Sequence, residues 1–347
     1  MWLVSVRDLQ FRSRRFVIAV LVTSMVFGIA LAIDGMRRAV QRETPAIVAL
    51  FGADRWVVAG GATGPFTTTR VLAASAGDAL RAESGVKRAD AVVLSKTVIA
   101  GHPAKDANLV GHVLGGLGSP PISEGRAAKR SGEAVVSPGV TATVGERITV
   151  GGKPFVVVGK TSEGRYYFGS PTVFVSLRDA QDIVFKGQPL AMGIAVEGSP
   201  RALAGTTALT NAQVESDLNR PLAGGVQSIV VTAILLWLIA AGIIGLIVYL
   251  SAIERIRDFA VFKATGAPTR VIVGGLMLQA VLVSLAAAVL AVGVSKLVGL
   301  GLPFPSELGT AGIVQLVVIS LVVGVLASLA GVRRALTTDP AAAFGGH

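Results

Sequence analysis

The chain has 347 residues, a mean hydropathy of +0.67, a formal net charge of +11 at pH 7 and no cysteine. The lack of cysteine excludes disulfides and cysteine-ligated metal sites. The positive charge suggests nucleic acid or a membrane surface as the partner, and its distribution favours the membrane, because ten basic residues flank the four apolar blocks in the positive-inside pattern. These ten residues are Arg7, Arg12, Arg14, Arg15, Arg255, Arg257, Lys263, Arg270, Arg333 and Arg334.

The first 15 residues place Trp2, Val6 and Leu9 on one face at helical spacing, and a basic cluster follows them. This pattern predicts a short cytoplasmic helix lying in the inner membrane interface. The alternative is a basic flank without regular structure.

Residues 16–36 begin with an apolar run that predicts the first transmembrane helix. The same run also resembles a signal peptide, with Ala30-Leu31-Ala32 as a cleavage motif. The run is longer than a normal signal core, and Asp34, Arg37 and Arg38 continue it in a helix-compatible pattern. Both interpretations export the segment that follows.

Residues 37–225 predict one large extracytoplasmic domain of mixed α/β type. Runs rich in valine and isoleucine predict strands at 91–100, 147–150, 155–160, 172–175 and 192–196, and Gly151-Gly152 predicts a hairpin turn. Helix-start residues predict one helix from Thr69 to about Ala82, a second after Ser176, and a third opened by Ser199 and Pro200.

Three further apolar blocks predict three more transmembrane helices. The sequence therefore predicts an α-helical membrane protein with four transmembrane helices, arranged as one helix, the α/β domain, and then three helices, with both termini in the cytoplasm. The remaining segments are predicted as transmembrane helix 2 at 226–251, a cytoplasmic hairpin at 252–270, helix 3 at 271–297, an outer loop at 298–311, helix 4 at 312–332 and a cytoplasmic tail at 333–347.

Small residues suggest where these helices pack together. Ser320, Gly324 and Ser328 repeat every four residues and so share one helix face, which predicts close approach of a neighbouring helix. Gly242 and Gly245 in the second span and Gly274 and Gly275 in the third could act in the same way. The amide of Gln279 is expected to bond to a neighbouring helix, with gating as a second possible role. The plain alternative is that glycine and serine are common in transmembrane helices.

The sequence offers no catalytic or metal-binding constellation. Gly151-Gly152-Lys153-Pro154 lacks the first glycine and the hydroxyl residue of a phosphate-binding loop. His102 and His112 have no third ligand nearby and are predicted to be exposed loop histidines. We therefore expect a non-catalytic subunit that binds no metal and no cofactor.

The most informative stretch is ERIRDFAVFKATGAPTR at 254–270, which joins the second and third predicted spans. It resembles the signature of the MacB/FtsX-type ABC transporter permeases, with aspartate at Asp258 where the family usually has glutamate. LMLQA at 276–280 is similar to the motif that follows in the family, with Gln279 where glutamate is common. The matching or neighbouring positions assigned to ATPase coupling are Glu254, Arg255, Arg257, Asp258, Lys263, Gly266, Ala267, Pro268 and Arg270.

Two other regions carry the same resemblance. DPAAA at 339–343 is similar to the tail of these permeases, and AVVSP, VGERITVGG, FVVVG and VFVSLRDAQ between 134 and 181 resemble the MacB-like periplasmic core. The resemblance covers most of the chain, and 34–130 match least clearly.

The resemblance implies partners and a mechanism. Two copies of the permease, as a homodimer in the bacterial inner membrane, would bind two ABC ATPase subunits, which hold ATP and Mg. No nucleic acid is expected. The hairpin would transmit nucleotide-driven motion to the outer domain for export or extraction of a lipid, lipoprotein, peptide or drug-like substrate. The alternatives are mechanotransmission that regulates a cell-wall hydrolase without transport, antimicrobial-peptide sensing, and, for the hairpin charges, simple anchoring at the headgroups. A periplasmic adaptor is a further possible partner.

Overall fold

The computed structural model describes residues 13–101, 105–162, 170–254, 268–301 and 310–337. The chain divides into two compact units, one formed by residues 1–38 together with 225–347, and one formed by 39–224. The predictions for the first 12 residues and for the tail beyond 337 lie outside the described residues, as does most of the predicted outer loop at 298–311.

Helices dominate the first unit. α1 (Ser13–Leu50) is one continuous helix that runs on well past the predicted end of the first span. The other helices are α5 (Ala223–Glu254), α6 (Thr269–Gly301) and α7 (Thr310–Thr337). Among the described residues, three helices are long and apolar enough to cross a membrane, at Phe16–Leu50, Ala223–Ile247 and Gly274–Leu300. The apolar part of α7, Gly312–Leu326, is shorter.

A shared apolar core holds this unit together. Phe16, Phe27 and Leu31 of α1 pack with Ile244 of α5 and with residues of α6 and α7. Phe27 and Trp237 stack with ring centroids 5.1 Å apart. The outward faces of the same helices are apolar as well, as expected for helices whose solvent is lipid.

The second unit is built on a mixed sheet. In the described part of the chain the strands run in the order β12-β1-β11-β3-β4-β9-β6-β8-β5, with β7 pairing to β3 and β8, and β2 pairs separately with β10. The strands are β1 (Arg55–Ala59), β2 (Leu72–Ala73), β3 (Val86–Ile99), β4 (Lys105–His112), β5 (Glu124–Gly125), β6 (Glu133–Val136), β7 (Arg147–Val150), β8 (Lys153–Lys160), β9 (Thr172–Ser176), β10 (Leu190–Ala191), β11 (Gly193–Gly198) and β12 (Thr206–Thr210).

The long strand β3 connects the two halves of this sheet. Its first half, Val86 to Val92, pairs with β11, and its second half, Val93 to Ile99, pairs with β4. Alternate residues of the second half enter two different apolar cores, because successive side chains of a strand point to opposite faces. Both faces are therefore covered at Val93 and Leu94, whereas Lys96 and Val98 further along the strand are exposed.

Three helices complete the second unit (39–224), hereafter the outer unit. They are α2 (Ala76–Arg81), α3 (Leu177–Phe185) and α4 (Asn211–Asn219). The prediction of a helix after Ser176 is confirmed, since the Ser176 hydroxyl accepts a hydrogen bond from the backbone N–H of Asp179. The predicted strands at 91–100, 147–150, 155–160, 172–175 and 192–196 are all present, and the turn at Gly151-Gly152 has positive φ at both residues.

One helix prediction is wrong in its start and a second is wrong altogether. The helix predicted from Thr69 begins only after Ser75, because Leu72 and Ala73 form a strand with β10. The helix predicted after Ser199 and Pro200 does not form, and Thr206–Thr210 pairs with β1 as an edge strand. In both cases strand pairing with a distant segment outweighs a local helix-start signal.

Candidate functional site

The predicted coupling hairpin joins the ends of two apolar helices. α5 ends at Glu254, and Pro268 directly precedes α6, whose first turn contains Thr269 and Arg270. A proline just before a first helical turn fits the chain there, because its missing N–H would have no helical partner. The other predicted coupling residues lie outside the described residues: Arg255, Arg257, Asp258, Lys263, Gly266 and Ala267.

The fourth predicted span approaches α6 closely at Gly324. A Cβ atom added there would lie 2.9 Å from Ser284 Oγ, 3.2 Å from Val281 Cα and 3.3 Å from the carbonyl oxygen of Ala280. These distances leave little room for any side chain. α6 and α7 therefore meet backbone to backbone at this point.

The other packing candidates differ from one another. Ser320 is buried, and its hydroxyl donates to the carbonyl of Val317 at 2.8 Å. Gln279 is also buried, and Ser328 lies in α7 at a position whose side chain is outside the described set. Gly242 and Gly274, in contrast, have open space where a Cβ would stand among the described residues, so close packing at these two glycines is not found within this chain.

A charged cluster lies on α1 beyond its apolar run. Asp34 accepts hydrogen bonds from Arg37 and Arg38, each at 2.8 Å, one turn along the same helix. Arg38 also donates a hydrogen bond to the side chain of Gln315 on α7. The cluster thus ties α1 to α7 with a charge-assisted hydrogen bond.

Asp217 of α4 is a buried carboxylate that accepts four hydrogen bonds. Its oxygens accept from the hydroxyls of Thr63 and Thr67 and from the backbone N–H groups of Phe66 and Thr67, the latter two at 3.0 and 3.2 Å. A Cβ at Gly64 would clash with it. One side chain of α4 therefore holds the loop at 63–67 in place.

The same helix also contacts the C-terminal end of α1. Asn219 accepts a hydrogen bond from the Thr44 hydroxyl at 2.7 Å. Asn211, at the other end of α4, accepts from the Trp56 indole N–H at 2.9 Å and donates to the carbonyl of Ala53. α4 is followed by a short 3-10 turn, Arg220–Leu222, and then directly by α5. α1, through which the chain enters the outer unit, is thus hydrogen-bonded to α4. α5, through which the chain leaves it, follows α4 after one short turn.

Two more carboxylates fix turns at the other end of the sheet. Glu133 accepts from Arg126 at 2.6 and 2.8 Å and from Arg130 at 3.0 Å, and these contacts, Arg126 first, lower its pKa from 4.5 to about 2. Asp179 accepts from the Ser176 hydroxyl at 2.6 Å and from the Gly132 N–H at 3.0 Å. The positions of these acids indicate structural roles in the turn at 126–133.

The interpretation of His112 as an exposed loop histidine is wrong. His112 ends β4, is almost fully buried, and lies edge-on to Phe174 with ring centroids 6.4 Å apart. Burial lowers the pKa of His112 below 6.5. A hydrogen bond with the carbonyl oxygen of Val113 and the negative charge of Asp90 raise the pKa, but by less than burial lowers it. Strand pairing to β9, which the sequence pattern did not reveal, carries this histidine inside. His102 lies outside the described residues.

The described residues contain no group of three or more histidine or carboxylate side chains placed to hold a metal ion. The buried carboxylates of the outer unit accept hydrogen bonds from backbone and side-chain donors. Along the chain, α5 begins at Ala223 and ends at Glu254, where the charged segment begins.

Comparison with known proteins identifies this arrangement. The sequence model of the MacB-like periplasmic core domain matches residues 18–212, and that of the FtsX-like permease C-terminal region matches residues 230–340. The chain is 38% identical over 344 residues, 99% of both chains, to the uncharacterized ABC transporter permease Rv2563 of Mycobacterium tuberculosis. It is 36% identical over the same length to the uncharacterized ABC transporter permease Rv0072 of that organism.

Among solved structures, the chain is similar to the periplasmic region of MacB from Actinobacillus actinomycetemcomitans. The identity is 13%, the TM-score is 0.36, and the match covers 50% of this chain and 95% of that one. The sequence matches show that this chain belongs to the MacB/FtsX-type ABC transporter permeases, and the family recognised from the hairpin is thereby confirmed. It is a multi-pass cell-membrane protein, and membership of this family implies an ATPase partner.

Proposed function

We propose that this permease couples ATP hydrolysis by two copies of a separate ATPase subunit to motion of its outer domain. The motion serves export or extraction of a lipid, lipoprotein, peptide or drug-like substrate. Two copies of the permease form the complex. In this proposal the apolar part of α7, supplemented by its flanking residues, serves as the fourth span, and both termini are cytoplasmic.

One observation carries the proposal. A short segment with three basic and one acidic residue, at 255–268, joins two consecutive helices that are each long enough to cross a membrane. Such a connection returns the chain to the side of the membrane that it left, and basic residues favour the cytoplasmic side. A soluble ATPase is on that side.

The fold supports a path for the motion along the chain itself. α5 has 32 residues, and a helix rises about 1.5 Å per residue, so it extends about 48 Å from the charged segment. Its N-terminal end follows α4 after three residues, and α4 holds the loop at 63–67 through Asp217. In this proposal a displacement of α5 acts on the chain segment that leads directly into α4.

The coupling role is tested by reversing charge in the hairpin. Arg257→Glu together with Lys263→Glu should reduce recovery of the co-expressed ATPase in pull-down at least tenfold, because the contacts to the motor would become repulsive. Lys129→Glu with Arg201→Glu, a matched exchange of one lysine and one arginine in the outer unit, should leave recovery unchanged. Full recovery with the hairpin variant, in a protein that still elutes as an intact complex, would contradict the proposal.

The topology is tested by cysteine labelling, for which the chain has no background because it contains no cysteine. Lys129→Cys should react with a membrane-impermeant thiol reagent in intact cells, and Thr265→Cys should react only after the cells are opened. The reverse pattern would place the charged segment outside and remove the basis for ATPase coupling.

A further inference from the structure

A row of polar side chains crosses three neighbouring strands of the outer unit. Lys96 of β3 lies opposite Asn108 of β4, which in turn lies beside Thr172 of β9. Residues paired in this way point to the same face of a sheet. The next row on this face is apolar and belongs to the core, and it consists of Leu94, Val110 and Phe174. The polar row therefore borders the core directly.

Two atoms of this row are buried without a partner. Asn108 is only 8% exposed and Thr172 is fully buried, yet Asn108 Nδ2 and Thr172 Oγ1 have no hydrogen-bond partner within the part of the chain that the structure describes. A buried donor without an acceptor is costly, and native proteins rarely leave one unless it has a use. Here two lie side by side.

Lys96 and Asn108 of this row also line two cavities. The larger, of about 310 Å³, is lined by Lys96, Asn108, Val98 and Asp106 among others. The smaller, of about 60 Å³, lies toward the core and adds Phe66 and Leu94 to the same Lys96 and Asn108. Asn108 lies in the wall of both, and rotation about its terminal torsion, which is broad for amides, turns its hydrogens toward the space.

The residues that line the cavities change from apolar at one end to charged at the other. At the core end it is apolar, with Phe66 and Leu94; in the middle it offers the amide of Asn108 and the ammonium of Lys96; at the outer end it has the carboxylate of Asp106. Asp106 is two residues from Asn108 on the same strand, a separation of about 6.6 Å.

The outer end is also unusual in exposing hydrocarbon. Val98, opposite Asp106, is 47% exposed, and together with Val144 it is one of only two large apolar side chains that the described part of the outer unit exposes. A ligand seated along the row would cover it.

We infer that this row is a binding site for a zwitterionic amphiphile whose groups follow the order apolar chain, anion, ammonium. The hydrocarbon would lie against Phe66 and Leu94, the anionic oxygens would accept from Asn108 and Lys96, and the ammonium would meet Asp106. A phospholipid of the phosphatidylethanolamine type has this order. If the lipid had no ammonium group, the Asp106 carboxylate would have no positive charge of the ligand to pair with. This inference rests on the proposed function, for which it specifies the substrate class.

The ligand class is tested by calorimetric titration of the full chain in a non-ionic detergent. Dihexanoyl-phosphatidylethanolamine should bind at least tenfold more tightly than dihexanoyl-phosphatidylglycerol, which has the same chains and phosphate but no ammonium. Glycerophosphoethanolamine, the headgroup without chains, should bind at least tenfold more weakly than the lipid. Equal binding of either comparison compound, or no binding of the lipid, would overturn the assignment.

Variants locate the site. Asp106→Asn should abolish the preference for the ethanolamine lipid. Glu215→Gln, which also replaces a carboxylate by an amide but lies on α4, should preserve it. Asn108→Leu should weaken lipid binding severalfold without lowering the protein's thermal stability, because it removes an amide nitrogen that has no partner among the described residues. Unchanged binding in both Asp106→Asn and Asn108→Leu would place the ligand elsewhere.

The outcome is independent of the ATPase. Binding is measured on the permease alone, so a failure of the hairpin to bind an ATPase would leave this result intact. Loss of the lipid preference would in turn leave the coupling proposal standing.

Discussion

The membrane helices and the outer unit treat polar and apolar side chains in opposite ways. In the outer unit the buried polar groups include carboxylates such as Asp217 and Glu133, each held by several donors. In the helices the buried polar groups are mostly small hydroxyls, which bond their own helix, as Ser24 and Ser320 do, or have no described partner, as with Ser284. This difference arises because the helices are surrounded by lipid and the outer unit is surrounded by water.

The outward surfaces differ in the same sense. Large apolar side chains such as Leu238 and Val289 are 63% and 74% exposed on the helices, whereas the described part of the outer unit exposes only Val98 and Val144. In lipid, burying a leucine side chain gains no free energy from the hydrophobic effect. The helices therefore associate through close packing of small residues. The outer unit, surrounded by water, can use ordinary burial and satisfied charges.

The largest effect should come from removing the central carboxylate of the outer unit. Asp217→Ala leaves two backbone N–H groups and two hydroxyls without their acceptor, at about 1–3 kcal/mol for each buried group that stays unsatisfied. We expect a loss of at least about 3 kcal/mol, with accelerated hydrogen exchange at residues 63–67. Glu215→Ala on the same helix is the control, and equal stability of the two variants would show that the contacts to Asp217 contribute little.

A smaller effect is expected from filling the close contact between α6 and α7. Gly324→Val places side-chain atoms where Ser284, Val281 and Ala280 already stand, which costs about 1–3 kcal/mol by overpacking. The measurement is the midpoint of unfolding in a detergent titration. Gly242→Val meets open space in this chain and should leave the midpoint unchanged if that face contacts only lipid. A reversed order of the two variants would contradict the packing described here.

The smallest effect concerns pH. The pKa of Glu133 falls from 4.5 to about 2 on folding, chiefly through Arg126, so the folded state binds this proton less readily than the unfolded state. The stability from these contacts is thus fully present above about pH 4.5 and is lost as the pH falls toward 2. Glu133→Gln should flatten stability across this window, measured by chemical denaturation at a series of pH values. An unchanged slope would show that other acids dominate.

The sequence predicted the helices of the membrane unit better than the outer unit, and the reason is physical. A span needs about 20 apolar residues in a row, which is a local signal that can be counted. The strands β1, β4, β6 and β12 were not predicted, since each pairs with a strand far along the chain. α4 was missed although its start has a capping box, formed by Thr210 and Gln213, which the sequence does display.

The candidate sites divide along the same line. The charged hairpin between α5 and α6 could be found from sequence because its charge contrasts with its neighbours and its order of residues is shared within a family. Asp217, His112 and Asn108 could not be found in this way, since nothing near them in sequence marks them as buried or as partners of a distant loop.

The sequence by itself therefore determined that this protein crosses the membrane, has one large outer domain and carries a basic connection between two apolar helices. These features follow from local hydropathy and charge. Only the tertiary structure decided which acids are buried, that one glycine of α7 meets α6 closely, and that Lys96, Asn108 and Thr172 form one row. Such features depend on strand register and helix contact, where residues far apart in the chain become neighbours.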